Sequence, residues 1–282
     1  MKGQIMPRSF AALFAVLYLP IEAPAISADE TLPIFDAHVH YSEGAWLSYD
    51  PRAVIELMDR AGVTRALVSS TPDDGALMLY KQDPRRFVPI LRPYRSAADI
   101  HGWHQDPVVL AYVENRLQTG IYRGIGEFHL LDESQVGTPQ IARLVELAVD
   151  GDLVLHVHCD AGPVHALFAL NPKLKILWAH AGVFASPAEI GALLDRYATL
   201  WTELSLRAPD IDPGADLEPE WRALFLRHPT RFMIGTDTWT TSRWAEYVPL
   251  VQQHRAWLAQ LPEAVARNIA HRNAERVFGG RK

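Results

Sequence analysis

The chain has 282 residues, 49% of them apolar, and carries a formal charge of −6. This length is sufficient for one large core, and the negative charge without a basic stripe makes nucleic acid an unexpected partner. Cys159 is the only cysteine, which excludes an intrachain disulfide. A small-molecule substrate is the default expectation.

The first 28 residues differ in pattern from the rest of the chain. Lys2 and Arg8 precede the apolar run 10–19, and small residues follow up to Ala28. This order predicts a secretory signal peptide over 1–28, a mature domain over 29–282, and a secreted or periplasmic protein with no stable membrane anchor after cleavage. An uncleaved anchor and a misassigned start codon are the alternatives.

Strand-length apolar runs then alternate with stretches of helical periodicity. Eight strands are predicted, over 34–40, 65–70, 87–94, 124–130, 153–159, 175–181, 200–206 and 232–238. Helices are predicted over 51–61, 75–82, 107–119, 139–149, 163–170, 187–197, 218–228 and 243–260. Several begin with proline at the first helical position, and Asp50 before Pro51 is a typical N-cap.

Eight βα units favour a single (β/α)₈ (TIM) barrel of the α/β class. The alternative, an open doubly wound sheet, usually has fewer strands and a glycine-rich phosphate turn after the first strand. Here the first strand is followed by a segment with one glycine, Gly44. The barrel is therefore the predicted fold.

Residues that can bind a metal or transfer a proton lie at the ends of several predicted strands. The active site of a (β/α)₈ barrel is expected at these strand ends. The residues are Asp36, His38 and His40 on the first strand, Glu127 and His129 on the fourth, His156 and His158 on the fifth, His180 on the sixth and Asp237 on the eighth. His38 and His40 share one face of their strand and can bind one cation. An H-x-H pair alone is a weak signal, because such a pair is usually explained by packing. The other histidines and carboxylates at the strand ends strengthen the interpretation of this pair as metal ligands.

These segments resemble the strand-end motifs of the amidohydrolase superfamily. The similar segments are Asp36-Ala37-His38-Val39-His40, Gly126-Glu127, His158-Cys159-Asp160, Trp178-Ala179-His180-Ala181-Gly182 and Gly235-Thr236-Asp237. The most similar branch includes aminocarboxymuconate-semialdehyde decarboxylase and 2-pyrone-4,6-dicarboxylate lactonase. The resemblance extends from about residue 34 to residue 278.

The resemblance implies a divalent metal held by His38, His40, one histidine of the fifth strand and Asp237. Asp237 would also take a proton from the bound water, and His180 would be a ligand or an acid/base. On the fifth strand His158 is preferred, because it lies nearer the carboxyl end; His156 would lie one layer deeper, donating a hydrogen bond or filling the core.

Glu127 resembles a glutamate that ligates or bridges metal in some relatives, and a carboxylate that only orients a neighbouring ligand is the alternative. Other relatives have a carboxylated lysine in this region, and the fourth strand here has no lysine. The resemblance therefore implies one ion, with a second ion supported by Glu127 as the alternative; the ion is most simply Zn²⁺, with Mn²⁺, Fe²⁺ and Co²⁺ open. Arg207, Trp239 and His156 are the candidates for contact with substrate.

Three functions remain open. The leading hypothesis is hydrolysis of an amide, ester or lactone bond by metal-activated water, which export of the protein favours over catabolic decarboxylation. The second is non-oxidative decarboxylation of an unsaturated or aromatic carboxylic acid with the same ligands. The third is an inactive exported barrel that binds a ligand.

The sequence does not specify the oligomeric state, and a homo-oligomer is compatible with it.

Overall fold

The computed structural model describes residue 1 and residues 32–280. The predicted signal peptide therefore lies, apart from Met1, outside the described residues. Within 32–280, eight parallel strands alternate with helical segments. The strands β1 to β8 span Ile34–His40, Val63–Ser69, Phe87–Pro89, Gly124–His129, Val154–His158, Lys175–Trp178, Leu200–Glu203 and Phe232–Met233.

The strands close into a ring. Strands β1 to β3 form one parallel sheet and β4 to β8 another. A bridge between Leu91 and Ile125 joins β3 to β4 just beyond the end of β3, and a bridge between Asp36 and Ile234 joins β1 to β8. This arrangement confirms the predicted (β/α)₈ barrel.

The helices form the outer layer of the barrel. The α-helices α1 to α12 span Pro51–Ala61, Asp74–Gln82, Pro107–Leu117, Pro139–Asp150, Ala161–Leu170, Pro187–Arg196, Ala208–Ile211, Pro219–Arg227, Thr241–Ala245, Tyr247–Leu258, Glu263–Arg267 and Asn273–Phe278, and a π-helical turn spans Asn268–Arg272. Helix α1 has the predicted bounds: the Asp50 carboxylate accepts hydrogen bonds from two first-turn N–H groups, and Gly62 ends the helix at φ 68°.

One predicted helix, 243–260, is divided in the structure. Helix α9 ends at Ala245 and α10 begins at Tyr247. Pro249 explains the division, because its ring would clash with the carbonyl of Ala245 four residues earlier in a continuous helix.

The last three strands end earlier than predicted. Strand β6 ends at Trp178, β7 at Glu203 and β8 at Met233. In each case a residue with positive φ follows within four residues: His180 at 54°, Leu206 at 65° and Asp237 at 52°. A positive φ is incompatible with extended backbone, so these segments leave the sheet where the barrel opens to solvent.

An apolar cluster fills the barrel below its mouth. Six strands contribute buried side chains to it, among them Phe35, Leu67, Val154 and Met233. Side chains from so many strands can meet only inside the ring, and Phe278 of α12 packs against them.

Among the described residues, no helix is both long and apolar enough to cross a membrane.

Candidate metal centre and active site

The barrel brings the predicted ligands together at the carboxyl ends of its strands. His38 and His40 close β1, Glu127 lies near the end of β4, His158 ends β5, and Asp237 follows β8. Parallel strands place these ends on one rim. The four residues other than His158 are almost completely buried, and His158 is partly exposed.

Four potential donor atoms lie close to one another here: Nε2 of His38, Nε2 of His40, Asp237 Oδ1 and Glu127 Oε2. The Nε2 atoms of His38 and His40 are 3.0 Å apart. Asp237 Oδ1 lies 3.5 and 3.4 Å from these two nitrogens, and Glu127 Oε2 lies 3.6 and 3.1 Å from them. In a tetrahedral zinc site with ordinary bond lengths, ligand atoms are about 3.3 Å apart. The distances of the two imidazole nitrogens from each other and from either carboxylate therefore suit a divalent cation, as do the donor types.

The second oxygen of Glu127 faces a different group of donors. Glu127 Oε1 lies 2.9 Å from His158 Nδ1 and 3.4 Å from His180 Nε2. Glu127 thus belongs to the four-donor set through Oε2 and contacts these two imidazoles through Oε1. This geometry makes both His158 and His180 neighbours of the centre.

His156 is not one of these donors; it forms a separate cluster of potential ligands with His38 and Glu203. It is buried against His38, with ring centroids 4.5 Å apart, and neither of its ring nitrogens has a hydrogen-bond partner in the described part of the chain. Burial lowers the pKa of its imidazole well below the ordinary value, so the ring is neutral. His156 is not among the residues lining the cavity described below, which leaves it in the deeper layer.

The charges of the centre depend strongly on one another. Burial raises the pKa of Glu127, but its interactions with His38, His158 and His180 outweigh burial and hold that pKa well below the ordinary value. Burial lowers the pKa of His38, and the carboxylates of Glu203, Asp237 and Glu127 raise it further than burial lowers it. The carboxylates of Glu203, Asp237 and Glu127 thus favour positive charge in the centre, whether on an imidazole or on a bound cation.

Arg92 is a member of the centre that was not among the predicted site residues. It lies just beyond β3, and its Nε and Nη2 atoms donate to the backbone oxygen and to Oε2 of Glu127, at 2.9 and 3.1 Å. Burial and, next, the charge of Arg92 lower the pKa of His40 to about 4, which keeps its imidazole neutral and available as a ligand. An arginine within an otherwise apolar predicted strand, 87–94, is the signal that could have revealed it.

Glu203 is a second member of the centre outside the predicted site residues. It ends β7, is fully buried, and its Oε1 atom lies 3.0 Å from His38 Nδ1. It also accepts hydrogen bonds from the backbone N–H groups of His180 and Ser205, at 2.6 and 2.8 Å. A Cβ atom at Gly235 would lie 2.1 Å from Glu203 Oε2, so only glycine fits there. Glu203 orients His38 as a carboxylate behind a ligating imidazole does.

Replacing Glu203 by glutamine is expected to weaken zinc binding about 10- to 100-fold, because the amide cannot accept all the hydrogen bonds that the carboxylate accepts. The dissociation constant is measured by competition with a chromogenic chelator. Glu220→Gln, on the exposed face of α8, is the control and is expected to bind zinc like the wild type. An unchanged dissociation constant for Glu203→Gln would contradict a role in positioning His38.

Arg207 does not have the surroundings expected of a substrate clamp. Its guanidinium is buried and donates to the carbonyl oxygens of His180, Ala181 and Ala185 at 2.8–3.2 Å, and to the Asp210 carboxylate at 2.8 Å. Its donors are thus used within the protein, and it is not among the cavity-lining residues. Arg207 instead stabilises the turn that carries His180, so the expectation of substrate contact is corrected.

A cavity of about 660 Å³ opens above the donor atoms. Its polar lining includes Arg92, Glu127, His129, His158, His180 and Asp237. Its apolar lining includes Pro72, Ala97, Ile100, Leu206 and Trp239. Arg92 is the only lysine or arginine among the described residues that line it. The cavity has the size of a small-molecule site, and Trp239 contributes to its wall.

A barrel whose strand ends converge on imidazole and carboxylate donors defines the class of metal-dependent (β/α)₈ enzymes. A family model described as amidohydrolase matches residues 35–280, and the chain therefore belongs to the amidohydrolase family. Members of this family use a divalent metal. No curated protein sequence matches the chain.

Solved structures agree with the fold. A protein from Pseudomonas putida assigned as a 2-pyrone-4,6-dicarboxylic acid hydrolase superposes with a TM-score of 0.62 at 17% identity, covering 89% of this chain and 98% of that one. An amidohydrolase from Burkholderia multivorans with bound zinc gives 0.59 at 18% identity, covering 87% and 99%. A 5-carboxyvanillate decarboxylase from Sphingomonas paucimobilis gives 0.59 at 15% identity, covering 88% and 99%. The likeness extends to hydrolases and decarboxylases alike.

Proposed function

We propose that this protein is a metal-dependent hydrolase that cleaves an ester, lactone or amide bond in a small molecule. The observation that supports it most strongly is the four-donor set of His38, His40, Asp237 and Glu127, with spacings of 3.0–3.6 Å on the floor of a cavity. We assign to this set a single ion, Zn²⁺, because imidazole and carboxylate donors at this spacing suit it.

A divalent cation in this set would polarise a substrate carbonyl and lower the pKa of a water molecule to about 7. Asp237 lines the cavity and would accept the proton of the attacking water and return it to the leaving group. His180, whose Nδ1 atom lies 2.7 Å from Ser205 Oγ, places its Nε2 atom 3.4 Å from Glu127 Oε1 and lines the cavity beside the attacking water.

The second candidate is non-oxidative decarboxylation, and Arg92 is the observation that favours it. Its Nη1 atom has one long hydrogen bond, 3.5 Å to Thr71 Oγ1, and the residue lines the cavity. A guanidinium there would bind the carboxylate of an acid substrate. Hydrolysis remains the first choice, since Nε and Nη2 of Arg92 already bind Glu127 and the remaining wall is largely apolar.

The test of the proposed function starts with the protein purified without chelator. Elemental analysis is expected to give about one equivalent of zinc, and lactone or ester hydrolysis, followed by proton release, is expected to stop on chelation and return with zinc. Release of CO₂ from aromatic or unsaturated acids, without hydrolysis, would favour the second candidate. A folded, metal-free and inactive protein that regains no activity with metal would contradict both. A second equivalent of metal would place another ion between Glu127 and His158.

We further propose that residues 1–28 direct export, on the order of charged, apolar and small residues in that segment. Amino-terminal sequencing of the mature protein from a periplasmic extract is expected to begin at residue 29.

A further inference from the structure

The rim of the cavity after β7 and β8 carries two exposed apolar side chains. Leu206 is 46% exposed and Trp239 is 61% exposed, and both line the cavity. Since β7 pairs with β8, the segments that follow these strands are neighbours on the barrel rim. Large apolar side chains left open to solvent at a cavity mouth mark a contact surface for an apolar ligand group.

The backbone of Leu206 adds an independent observation. Its φ of 65° lies in the left-handed region, which disfavours a leucine. Such strain persists only where the neighbouring structure imposes it, and it is concentrated at functional sites. Here both neighbours are fixed: Ser205 Oγ lies 2.7 Å from His180 Nδ1, and the Arg207 guanidinium is held by three carbonyl oxygens.

This conformation separates the roles of three successive residues. Ser205 contacts the histidines of the centre, Arg207 supports the His180 turn, and Leu206 between them lines the cavity. A leucine at this position has unfavourable backbone geometry, and in the described chain it belongs to neither apolar core cluster. The apolar surface that it presents faces the cavity.

We propose that Leu206 and Trp239 form an apolar clamp that selects substrates bearing an alkyl substituent of several carbons beside the bond that is cleaved. The proposal rests on the proposed hydrolase function and names the substrate class of that site. Cavity size is consistent with it, because about 660 Å³ exceeds what a two-carbon acyl group fills. Leu206 and Trp239 determine substrate specificity, whereas the four-donor set below them carries out the bond cleavage.

The test uses two homologous series on the zinc-loaded full chain. The first is hydrolysis of γ-valerolactone, γ-hexalactone, γ-octalactone and γ-decalactone. The second, which needs no turnover, is calorimetric binding of acetohydroxamate, butyrohydroxamate, hexanohydroxamate and octanohydroxamate. In the wild type, kcat/KM and affinity are expected to rise about two- to threefold per methylene, somewhat less than full burial would give.

Leu206→Asn is the informative variant, because asparagine tolerates the left-handed conformation but offers no apolar surface. The preference for γ-octalactone over γ-valerolactone is expected to fall about tenfold, and the Tm is expected to stay the same or rise. A purely structural Leu206 would lower the Tm and leave the preference unchanged. Leu226→Asn, at an exposed leucine of α8 outside the cavity, is the matched control and is expected to keep the wild-type preference.

The two proposals fail in different ways. Lactone hydrolysis that does not depend on chain length would overturn the clamp and leave the hydrolase function standing. No turnover of any lactone, with hydroxamate affinity that still rises with chain length in the wild type and not in Leu206→Asn, would overturn hydrolysis of lactones and support the clamp. Hydroxamate affinity that is independent of chain length, or no binding of octanohydroxamate, would overturn the clamp.

Discussion

Replacing His38 and His40 together by alanine is expected to abolish metal binding and to lower kcat/KM at least 1,000-fold, to about the level of the chelated wild type. The two Nε2 atoms are the two imidazole donors of the four-donor set, and they lie 3.0 Å apart. The two remaining carboxylates do not form a complete zinc site. Elemental analysis and steady-state kinetics on the same preparation check both effects.

The control for the double variant is His165→Ala. His165 lies on α5, where its Nδ1 atom is 2.7 Å from the Tyr197 hydroxyl oxygen, and it belongs to none of the clusters of potential ligands in the described chain. It is expected to retain full metal content. Circular dichroism is expected to show a folded barrel for both proteins. A full equivalent of zinc in the folded double variant would exclude His38 and His40 as ligands.

The fold was predictable because it rests on repeated, local signals. The alternation of apolar strands and capped helices indicates eight βα units, and Asp50, Pro51 and Gly62 specify the bounds of α1. The ends of the last three strands were not predictable in the same way. Residues 180, 206 and 237 are not glycines, and their positive φ values are imposed by contacts across the barrel mouth.

The residues of the candidate site likewise differ in how far they could be predicted from the sequence. His38, His40 and Asp237 stand in short motifs and at strand ends, so the sequence indicates them directly. Glu203 and Arg92 act through residues 35 or more positions away, as in the contacts of Glu203 with His38 and of Arg92 with Glu127. Arg207 shows the converse case, since its sequence position beside the site does not reveal that carbonyl oxygens occupy its donors. Long-range partners require the folded chain.

Asp237→Asn is expected to lower kcat about 100- to 10,000-fold while the protein keeps most of its metal. An amide oxygen can still face the cation, but the side chain can no longer accept the proton of the attacking water. The backbone at this position has a φ of 52°, which asparagine tolerates, so the substitution leaves the local fold intact. The measurements are kcat and zinc stoichiometry on one preparation.

Asp237→Ala separates the two roles of this carboxylate. Alanine removes both the metal donor at 3.4–3.5 Å from the two imidazoles and the proton acceptor, and it also strains the backbone at positive φ. It is expected to lose metal as well as turnover, whereas the asparagine variant loses turnover alone. Equal metal loss in both variants would assign Asp237 to metal binding only, and wild-type kcat in Asp237→Asn would remove it from proton transfer. The proton would then pass through one of the two cavity-lining imidazoles that contact Glu127, His158 or His180.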